Sequence, residues 1–285
     1  MNAAPLASPF LGLRPFQSGD AELFFGRDQE IDELLKRLSS ERFLAVTGAS
    51  GSGKSSLVAA GVIPRLLGGG LRKLGGNWNV VQCRPGVDPH AAMAAALAKN
   101  GRLTAAELEA GVALPAVFEA VLRQSSRGLI DALRRQVGDA SQHLFVIDQF
   151  EELFRYRQAS LEHGAAEDDA AAFVKLLLTA ASSKESQTYV IVTLRTDYLG
   201  QCELFHGLPE AMSRGHYLVP RLTREQLEST LSEPLQLFGA TMDEALVQQV
   251  LLDVGDRPHL LPQLQHALLR TWHHWEKRAT TEPLQ

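Results

Sequence analysis

A glycine-rich run, Gly48-Ala-Ser-Gly-Ser-Gly-Lys-Ser55, has the residue types and spacing of a phosphate-binding loop, GxxxxGK[ST]. Glycines let the backbone curl so that its N–H groups point at phosphate oxygens, and a following helix adds positive potential. In such loops the lysine, here Lys54, reaches the β- and γ-phosphates, and the hydroxyl of Ser55 binds Mg²⁺. The candidate nucleotide-binding residues here are Gly48, Ala49, Ser50, Gly51, Ser52, Gly53, Lys54, Ser55 and Ser56.

A second candidate segment, His143-Leu-Phe-Val-Ile-Asp148, is an apolar run that ends in a carboxylate. This pattern is typical of a Walker B strand, whose aspartate holds Mg²⁺. Ser55 and Asp148 are therefore the predicted metal residues. Glu151 and Glu152 follow, and either could orient or deprotonate an attacking water; we favour Glu151, although the sequence leaves the choice open. The structural alternatives are a cap at the strand end for Asp148 and a solvated first helical turn for the glutamates.

Two arginines complete the candidate set. Arg195 closes the apolar run 189–194, and ligands of open parallel sheets bind beyond the carboxyl ends of strands. Its guanidinium could meet a terminal phosphate in a bidentate way; the alternative is a salt bridge with Asp197. Arg27 precedes the first strand and could line the base or ribose pocket, although alone it would be an ordinary surface arginine.

These residues need a scaffold of strands and helices. Short apolar runs predict buried strands at 43–47, 79–83, 143–148, 189–194 and 216–219. Helical patterns occur from Asp28, at 54–67, at 89–99, within 115–137 and at 168–181. This alternation predicts a parallel α/β sheet sandwiched by helices. The glycines at 68–70 and 75–76 are predicted to frame a flexible surface loop.

Beyond residue 220 the strand patterns stop. Capping boxes at Thr223/Gln226 and Thr241/Glu244 predict two helices, Gly255 can end the second, and Pro262 can open a third. We therefore divide the chain into an N-terminal arm at 1–20, a nucleotide-binding domain at 21–220 and a helical lid at 221–285. The chain is expected to be a piece of a longer protein.

Composition narrows the class of protein. The 285 residues are 45% apolar, as in an ordinary globular protein, and 28 basic against 33 acidic side chains give a net charge of −5. This balance argues against a dedicated nucleic-acid binder. Two cysteines without CxxC spacing argue against a zinc ribbon or a disulfide scaffold, and no apolar run is long enough for a membrane span. A cytoplasmic protein is expected.

Together these motifs resemble the STAND class of P-loop ATPases, specifically the bacterial novel STAND NTPases. The matching stretches beside the phosphate loop are Pro9-Phe-Leu-Gly-Leu-Arg-Pro-Phe16, Leu23-Phe-Phe-Gly-Arg-Asp-Gln-Glu30, Arg84-Pro-Gly-Val-Asp-Pro89, Val146-Ile-Asp-Gln-Phe-Glu-Glu-Leu-Phe154, Val192-Thr-Leu-Arg-Thr-Asp-Tyr198 and Leu260-Leu-Pro-Gln-Leu-Gln-His-Ala-Leu268. They span nearly the whole chain in the family's order.

The resemblance implies a fold and roles. The strand that ends at Arg195 would lie between the phosphate-loop strand and the Asp148 strand. Arg195 would sense the terminal phosphate, Arg27 would lie near the base, and a lid proline would touch the nucleotide. We assign that proline to Pro262, with Pro258 as the alternative, and note His259 where the family has a small residue.

The resemblance also implies a signalling switch. An ADP-bound closed form would exchange ADP for ATP, open and form homo-oligomers, with slow Mg²⁺-dependent hydrolysis as a timer. Partner regions would be fused or associated sensors and effectors, such as WD-repeat propellers, in bacterial defence or regulation. Three alternatives remain: a DNA-associated ATPase of the origin-recognition kind, a nucleotide-binding module without hydrolysis, and a metabolite kinase.

Overall fold

The computed structural model describes residues 8–71, 77–99, 101, 103–135, 142–162, 169–254, 260–278 and 283–284. The chain divides into two compact units, each assembled from segments that are distant in sequence. Unit 1 comprises Met1–Leu35, Gly48–Gly68 and Val219–Gln285, and unit 2 comprises Lys36–Thr47 and Gly69–Leu218. The boundaries proposed from sequence, after residues 20 and 220, stay a prediction.

The sheet contains β1 (Phe43–Gly48), β2 (Trp78–Cys83), β3 (Gln142–Ile147), β4 (Thr188–Arg195) and β5 (His216–Leu218). Their order across the sheet is β2-β3-β4-β1-β5, and the pairs β2/β3, β3/β4 and β1/β5 are parallel. This confirms the predicted parallel α/β fold. The order also places β4 between β3 and β1, as the resemblance implies.

The helices are α1 (Asp28–Ser40), α2 (Lys54–Ser56), α3 (Ile63–Arg65), α4 (Pro89–Ala98), α5 (Ala105–Glu109), α6 (Leu114–Gln124), α7 (Gly128–Leu133), α8 (Glu152–Glu162), α9 (Asp169–Ser182), α10 (Leu208–Arg214), α11 (Arg224–Gln236), α12 (Glu244–Val254) and α13 (Leu261–Glu276). Among the described residues, 3₁₀ segments lie at Ser18–Leu23 and Thr196–Leu204.

Apolar side chains of the strands and helices form the core of unit 2. Phe118 on α6, Phe145 on β3, Phe173 on α9 and Val190 on β4 are completely buried in it. Burial of each such side chain contributes about 1.5–3 kcal/mol. This core fixes the carboxyl ends of β3 and β4, where Asp148 and Arg195 lie.

The helix after the phosphate loop is wider than an ordinary α-helix over much of its length. After α2 it continues as a π-helix at Leu57–Val62, as α3, and again as a π-helix at Leu66–Gly70. The backbone leaves helical geometry at Gly69, with φ +90°, among the glycines that are expected to frame the loop, and the loop itself stays a prediction. Gly75 and Gly76 lie outside the described residues.

The helices α11, α12 and α13 belong to unit 1 and share an apolar core that includes Leu231, Leu235 and Trp272. The predicted capping box at α11 is present. The predicted Thr241/Glu244 capping box at α12 is wrong. Asp243, directly before that helix, accepts the amide hydrogens of Ala245 and Leu246 and so caps the helix in place of Thr241. Gly255, Pro258 and His259 lie outside the described residues.

Candidate functional site

The phosphate loop joins β1 to α2, and its shape depends on glycine. Gly51 and Gly53 have φ values of +76° and +86°, which side chains of L-residues disfavour. A Cβ on Gly48 would lie 2.7 Å from the Ser52 hydroxyl oxygen, so the loop passes too close there for a side chain. Ala49 and Ser50 complete the turn. The sequence pattern and the local backbone therefore agree.

Lys54 is buried at the start of α2. Its ammonium group donates hydrogen bonds to the carbonyl oxygens of Gly48 and Ala49, at 3.0 and 2.8 Å. The Ser52 hydroxyl is buried and, within the part of the chain that the structure describes, has no hydrogen-bond partner. A buried ammonium beside a buried hydroxyl that lacks a partner suits an anionic ligand, because a buried polar group is costly to leave without a hydrogen bond. The loop thus fits nucleotide phosphates.

The N-terminal arm reaches the phosphate-loop helix within unit 1. The amide of Phe16 donates to the Ser56 hydroxyl at 3.2 Å, and the Ser18 hydroxyl donates to the Ala59 carbonyl at 2.9 Å. Phe10, which also belongs to the arm, is buried in the core of α11–α13, where its exposed fraction is 1%. The arm therefore contacts both the phosphate-loop helix and the helical segment.

Arg27 is buried in unit 1. Its guanidinium donates to the Glu30 carboxylate at 2.8 Å and to the Pro220 carbonyl at 3.0 Å. The Gln226 side chain donates to both oxygens of Glu30, at 3.1 and 3.2 Å. Arg27 is thus a buried structural cation as well as a candidate base-pocket residue. Pro262, the other candidate taken from the resemblance, lies half-buried in the first turn of α13.

In unit 2, Asp148 directly follows β3. The Thr193 hydroxyl donates to its Oδ1 at 2.8 Å, and the Arg84 guanidinium donates to its Oδ2 at 3.0 Å. Gln149 has φ +58°, and it is the single residue other than glycine with a positive φ in the described chain. Asp148 therefore sits on a sharp turn rather than in the strand, where the sequence placed it.

Glu151 and Glu152 have different surroundings. The Glu152 carboxylate accepts the amide hydrogen of Gly86 at 2.8 Å. The Glu151 Oε2 atom is buried and has no hydrogen-bond partner among the described residues. The two carboxylates, between which the sequence leaves the choice open, therefore have different surroundings in the structure.

Arg195 ends β4 and pairs with Asp197 at 2.5 Å, and its guanidinium lies 5.7 Å from the centre of the Tyr198 ring. The hydrogen bond to Asp197 raises the pKa of Arg195, and the negative charge of Glu151 contributes in the same direction. The Nε atom of Arg195 is buried without a hydrogen-bond partner in the described ranges. The Asp197 salt bridge is present, and part of the guanidinium remains unsatisfied.

Asp148 in unit 2 and Ser55 in unit 1 each carry a type of oxygen that suits magnesium. Mg²⁺ prefers hard oxygen ligands such as carboxylate and hydroxyl oxygens, and Asp148 and Ser55 offer these types. The Asp148 side chain keeps 18% of its surface exposed. Among the described residues, no group of three or more His, Cys, Asp and Glu side chains is arranged to hold a metal ion. None of the described helices is both long enough and apolar enough to span a bilayer.

Three contact residues have no role in the sequence-based assignment: Thr193, Arg84 and Gly86. Thr193 is a polar residue directly after the apolar run 189–192, two positions before Arg195, and this signal could have identified it. Arg84 and Gly86 follow β2 in the Arg-Pro-Gly-Val-Asp-Pro stretch, but no local pattern links them to Asp148 and Glu152.

The fold resembles several solved structures at low sequence identity. The chain is similar to the Aeropyrum pernix ORC2 protein, whose structure holds ADPNP and ADP (TM-score 0.56, 12% identity, 91% of this chain and 65% of that one). It is also similar to the Walker-type ATPase paby2304 of Pyrococcus abyssi (TM-score 0.52, 15% identity, 93% and 73%). A third is Hsp104 from S. cerevisiae in complex with casein (TM-score 0.55, 16% identity, 96% and 42%).

The chain thus spans about two thirds of the ORC2 protein and less than half of Hsp104. No curated protein sequence matched it significantly. The family profile described as Novel STAND NTPase 1 matches residues 9–284, which include the phosphate loop, the Asp148 turn and Arg195. The chain belongs to the Novel STAND NTPase 1 family of P-loop NTPases.

Proposed function

We propose that this chain is an ATP-dependent signalling switch, closed with ADP and open and oligomeric with ATP. The observation that carries the proposal is the set of segments that make up unit 1. The phosphate loop, its helix, the N-terminal arm and α11–α13 form one compact unit, and the arm contacts both helical parts. A nucleotide bound at the loop would therefore influence the segment expected to act as a lid.

Each candidate residue has a proposed role. The loop residues Gly48–Ser56 bind the phosphates, Lys54 neutralises the β- and γ-phosphates, and Ser55 and Asp148 hold Mg²⁺. Bound Mg²⁺ neutralises charge on the β- and γ-phosphate oxygens. Arg195 senses the γ-phosphate, and Arg27 and Pro262 lie near the nucleotide. These assignments rest on the motifs and on family membership.

Contacts to the γ-phosphate can supply the binding free energy that such a switch requires. A change from mostly closed to mostly open molecules needs about 5.5 kcal/mol of differential binding between ATP and ADP. Hydrogen bonds to charged groups contribute about 1.5–3 kcal/mol each. Two or three such contacts to the γ-phosphate, from Lys54, Arg195 and the lid, supply this amount.

Hydrolysis would reset the switch. Glu151 is the proposed water-orienting residue, because its buried oxygen lacks a partner among the described residues, whereas Glu152 is occupied by the Gly86 amide. P-loop proteins without an inserted arginine are slow. We therefore propose slow hydrolysis by the isolated chain, faster if a neighbouring copy donates an arginine on assembly. The setting would be cytoplasmic, in bacterial defence or regulation, with sensor and effector regions as partners.

The test has two stages. First, the nucleotide released from freshly purified, denatured protein is identified by chromatography; stoichiometric ADP is expected. Second, light scattering measures molar mass after exchange into MgATP or MgADP, with Lys54→Ala as the control that should not respond. A rise in mass with ATP alone supports the switch, whereas equal mass with both nucleotides contradicts it. Hydrolysis stimulated by DNA would favour the origin-recognition alternative instead.

A further inference from the structure

Thr193 makes three hydrogen bonds to the turn that carries Asp148. Its hydroxyl donates to Asp148 Oδ1 at 2.8 Å and accepts the amide hydrogen of Gln149 at 2.9 Å. Its carbonyl accepts the amide hydrogen of Phe150 at 2.8 Å. Thr193 is 1% exposed, so its hydroxyl is shielded from bulk water.

Strand register explains the contact. Ile147, the last residue of β3, lies opposite Val192 of β4. The residues that follow these two, Asp148 and Thr193, are therefore close to each other at the point where the chain leaves β3. The turn itself needs support, because Gln149 adopts a left-handed conformation that costs about 1–3 kcal/mol for a residue other than glycine. Thr193 satisfies the amide of this strained residue and orients the preceding carboxylate with one hydroxyl group.

We infer that Thr193 is a positioning residue for the magnesium-binding carboxylate of Asp148. Hydrogen bonds to a metal-binding carboxylate fix its orientation, and loss of such a partner usually weakens metal affinity by about 10–100-fold. The inference rests on the proposed function, because it requires Asp148 to bind the metal that accompanies the nucleotide. It assigns to Thr193 no contact with the nucleotide.

Three variants separate this role from a merely structural one. Thr193→Val keeps the shape of the side chain and removes the hydroxyl, and Thr193→Ser keeps the hydroxyl. Thr188→Val is the matched control: Thr188 is also buried on β4, but its hydroxyl donates to Ser186 at 2.9 Å. Melting temperatures report folding for all three.

The measurement is Mn²⁺ affinity of the ADP-bound chain, from the electron paramagnetic resonance signal of free Mn²⁺. Affinity for ADP in EDTA is measured in parallel. We expect Thr193→Val to bind Mn²⁺ about tenfold more weakly or worse, with ADP affinity in EDTA unchanged. Thr193→Ser and Thr188→Val should bind Mn²⁺ as the unmodified chain does.

Different results would contradict the inference in different ways. If the unmodified chain binds Mn²⁺ and ADP and Thr193→Val binds both equally well, the positioning role is wrong and the proposed function stands. The positioning role is also wrong if Thr188→Val loses as much Mn²⁺ affinity as Thr193→Val, because the effect would then come from the strand. If the unmodified chain binds neither nucleotide nor Mn²⁺, both the proposed function and the inference are wrong.

Discussion

Arg27 and Glu30 form an ion pair, with 2.8 Å between Nη1 and Oε1, in which the side chains are only 6% and 5% exposed. Charges buried to this degree are costly unless they are paired and hydrogen-bonded. Here Pro220 completes the surroundings of the guanidinium, and Gln226 those of the carboxylate. The pair thus ties the start of α1 to the start of α11 within unit 1.

Replacing one partner should be strongly destabilising. Arg27→Met leaves the Glu30 carboxylate buried without its cation, and we expect a loss of about 3–5 kcal/mol in the free energy of unfolding. Urea denaturation measures this loss of unfolding free energy. The matched control is Arg65→Met, which breaks the exposed pair with Asp28 and should cost about 0–1 kcal/mol. Equal losses in both variants would contradict the prediction.

Lys54→Ala should abolish tight nucleotide binding. The buried ammonium is the cation of the phosphate loop, and its removal leaves the β- and γ-phosphate charges without their main counter-ion. Titration calorimetry with ATP and ADP measures the affinities. Lys175→Ala, which removes an exposed lysine of α9, should bind both nucleotides normally. An unchanged affinity in Lys54→Ala would exclude the phosphate-loop assignment.

Arg195→Ala should weaken ATP binding more than ADP binding. A charge-assisted hydrogen bond to the γ-phosphate contributes about 1.5–3 kcal/mol, so the ratio of ATP to ADP affinity should fall by about 10–100-fold. Equilibrium titrations with both nucleotides in Mg²⁺ give the ratio. Asp197→Asn is the companion variant, because it breaks the Arg195 ion pair and keeps the arginine. Equal losses for ATP and ADP would remove the sensor role.

Glu151→Gln should slow hydrolysis without loss of ATP affinity. A residue that orients or deprotonates water contributes about 10²–10⁴-fold to the rate. Single-turnover assays with pre-bound ATP separate hydrolysis from binding. Glu152→Gln should hydrolyse ATP close to normally, because a glutamine carbonyl can still accept the Gly86 amide hydrogen. A larger loss in Glu152→Gln than in Glu151→Gln would reverse the assignment.

Stability should fall in mild acid. Burial lowers the pKa of His90 from its usual 6.5, and the positive charge of Arg123 acts in the same direction. The unfolded chain therefore binds a proton near pH 6.5 that the folded chain does not, so stability is retained above this pH and lost below it. His90→Met should reduce the loss of unfolding free energy between about pH 7.5 and 5.5. An undiminished loss in His90→Met would contradict the assignment.

Much of the fold was predictable because buried strands have a simple signature. The run 43–47 and the strand Phe43–Gly48 differ by one residue, since an apolar run that ends in glycine marks both the strand and its end. The Asp148 strand was placed one residue too long. Its last residue leaves the ladder for a turn with a positive φ at Gln149, which no propensity indicates for glutamine.

The contacts between strands could not be predicted. Thr193 meets Asp148 because Val192 lies opposite Ile147, and register depends on the packing of the whole sheet rather than on local sequence. Arg84 reaches Asp148 for the same reason, since β2 and β3 pair with Cys83 opposite Ile147. Sequence therefore identified the candidate chemical groups, whereas the hydrogen-bond partners of Asp148 came from the fold.

The discontinuity of unit 1 has a consequence for protein synthesis. Every segment of unit 2 leaves the ribosome before Val219–Gln285, which takes roughly 3 to 13 s to translate at about 5–20 residues per second. We expect the sheet to form during this interval, while Phe10 still lacks the helices that bury it. The nascent chain would then acquire its phosphate-loop unit last, so that ATP binding marks a polypeptide that has been translated through α13.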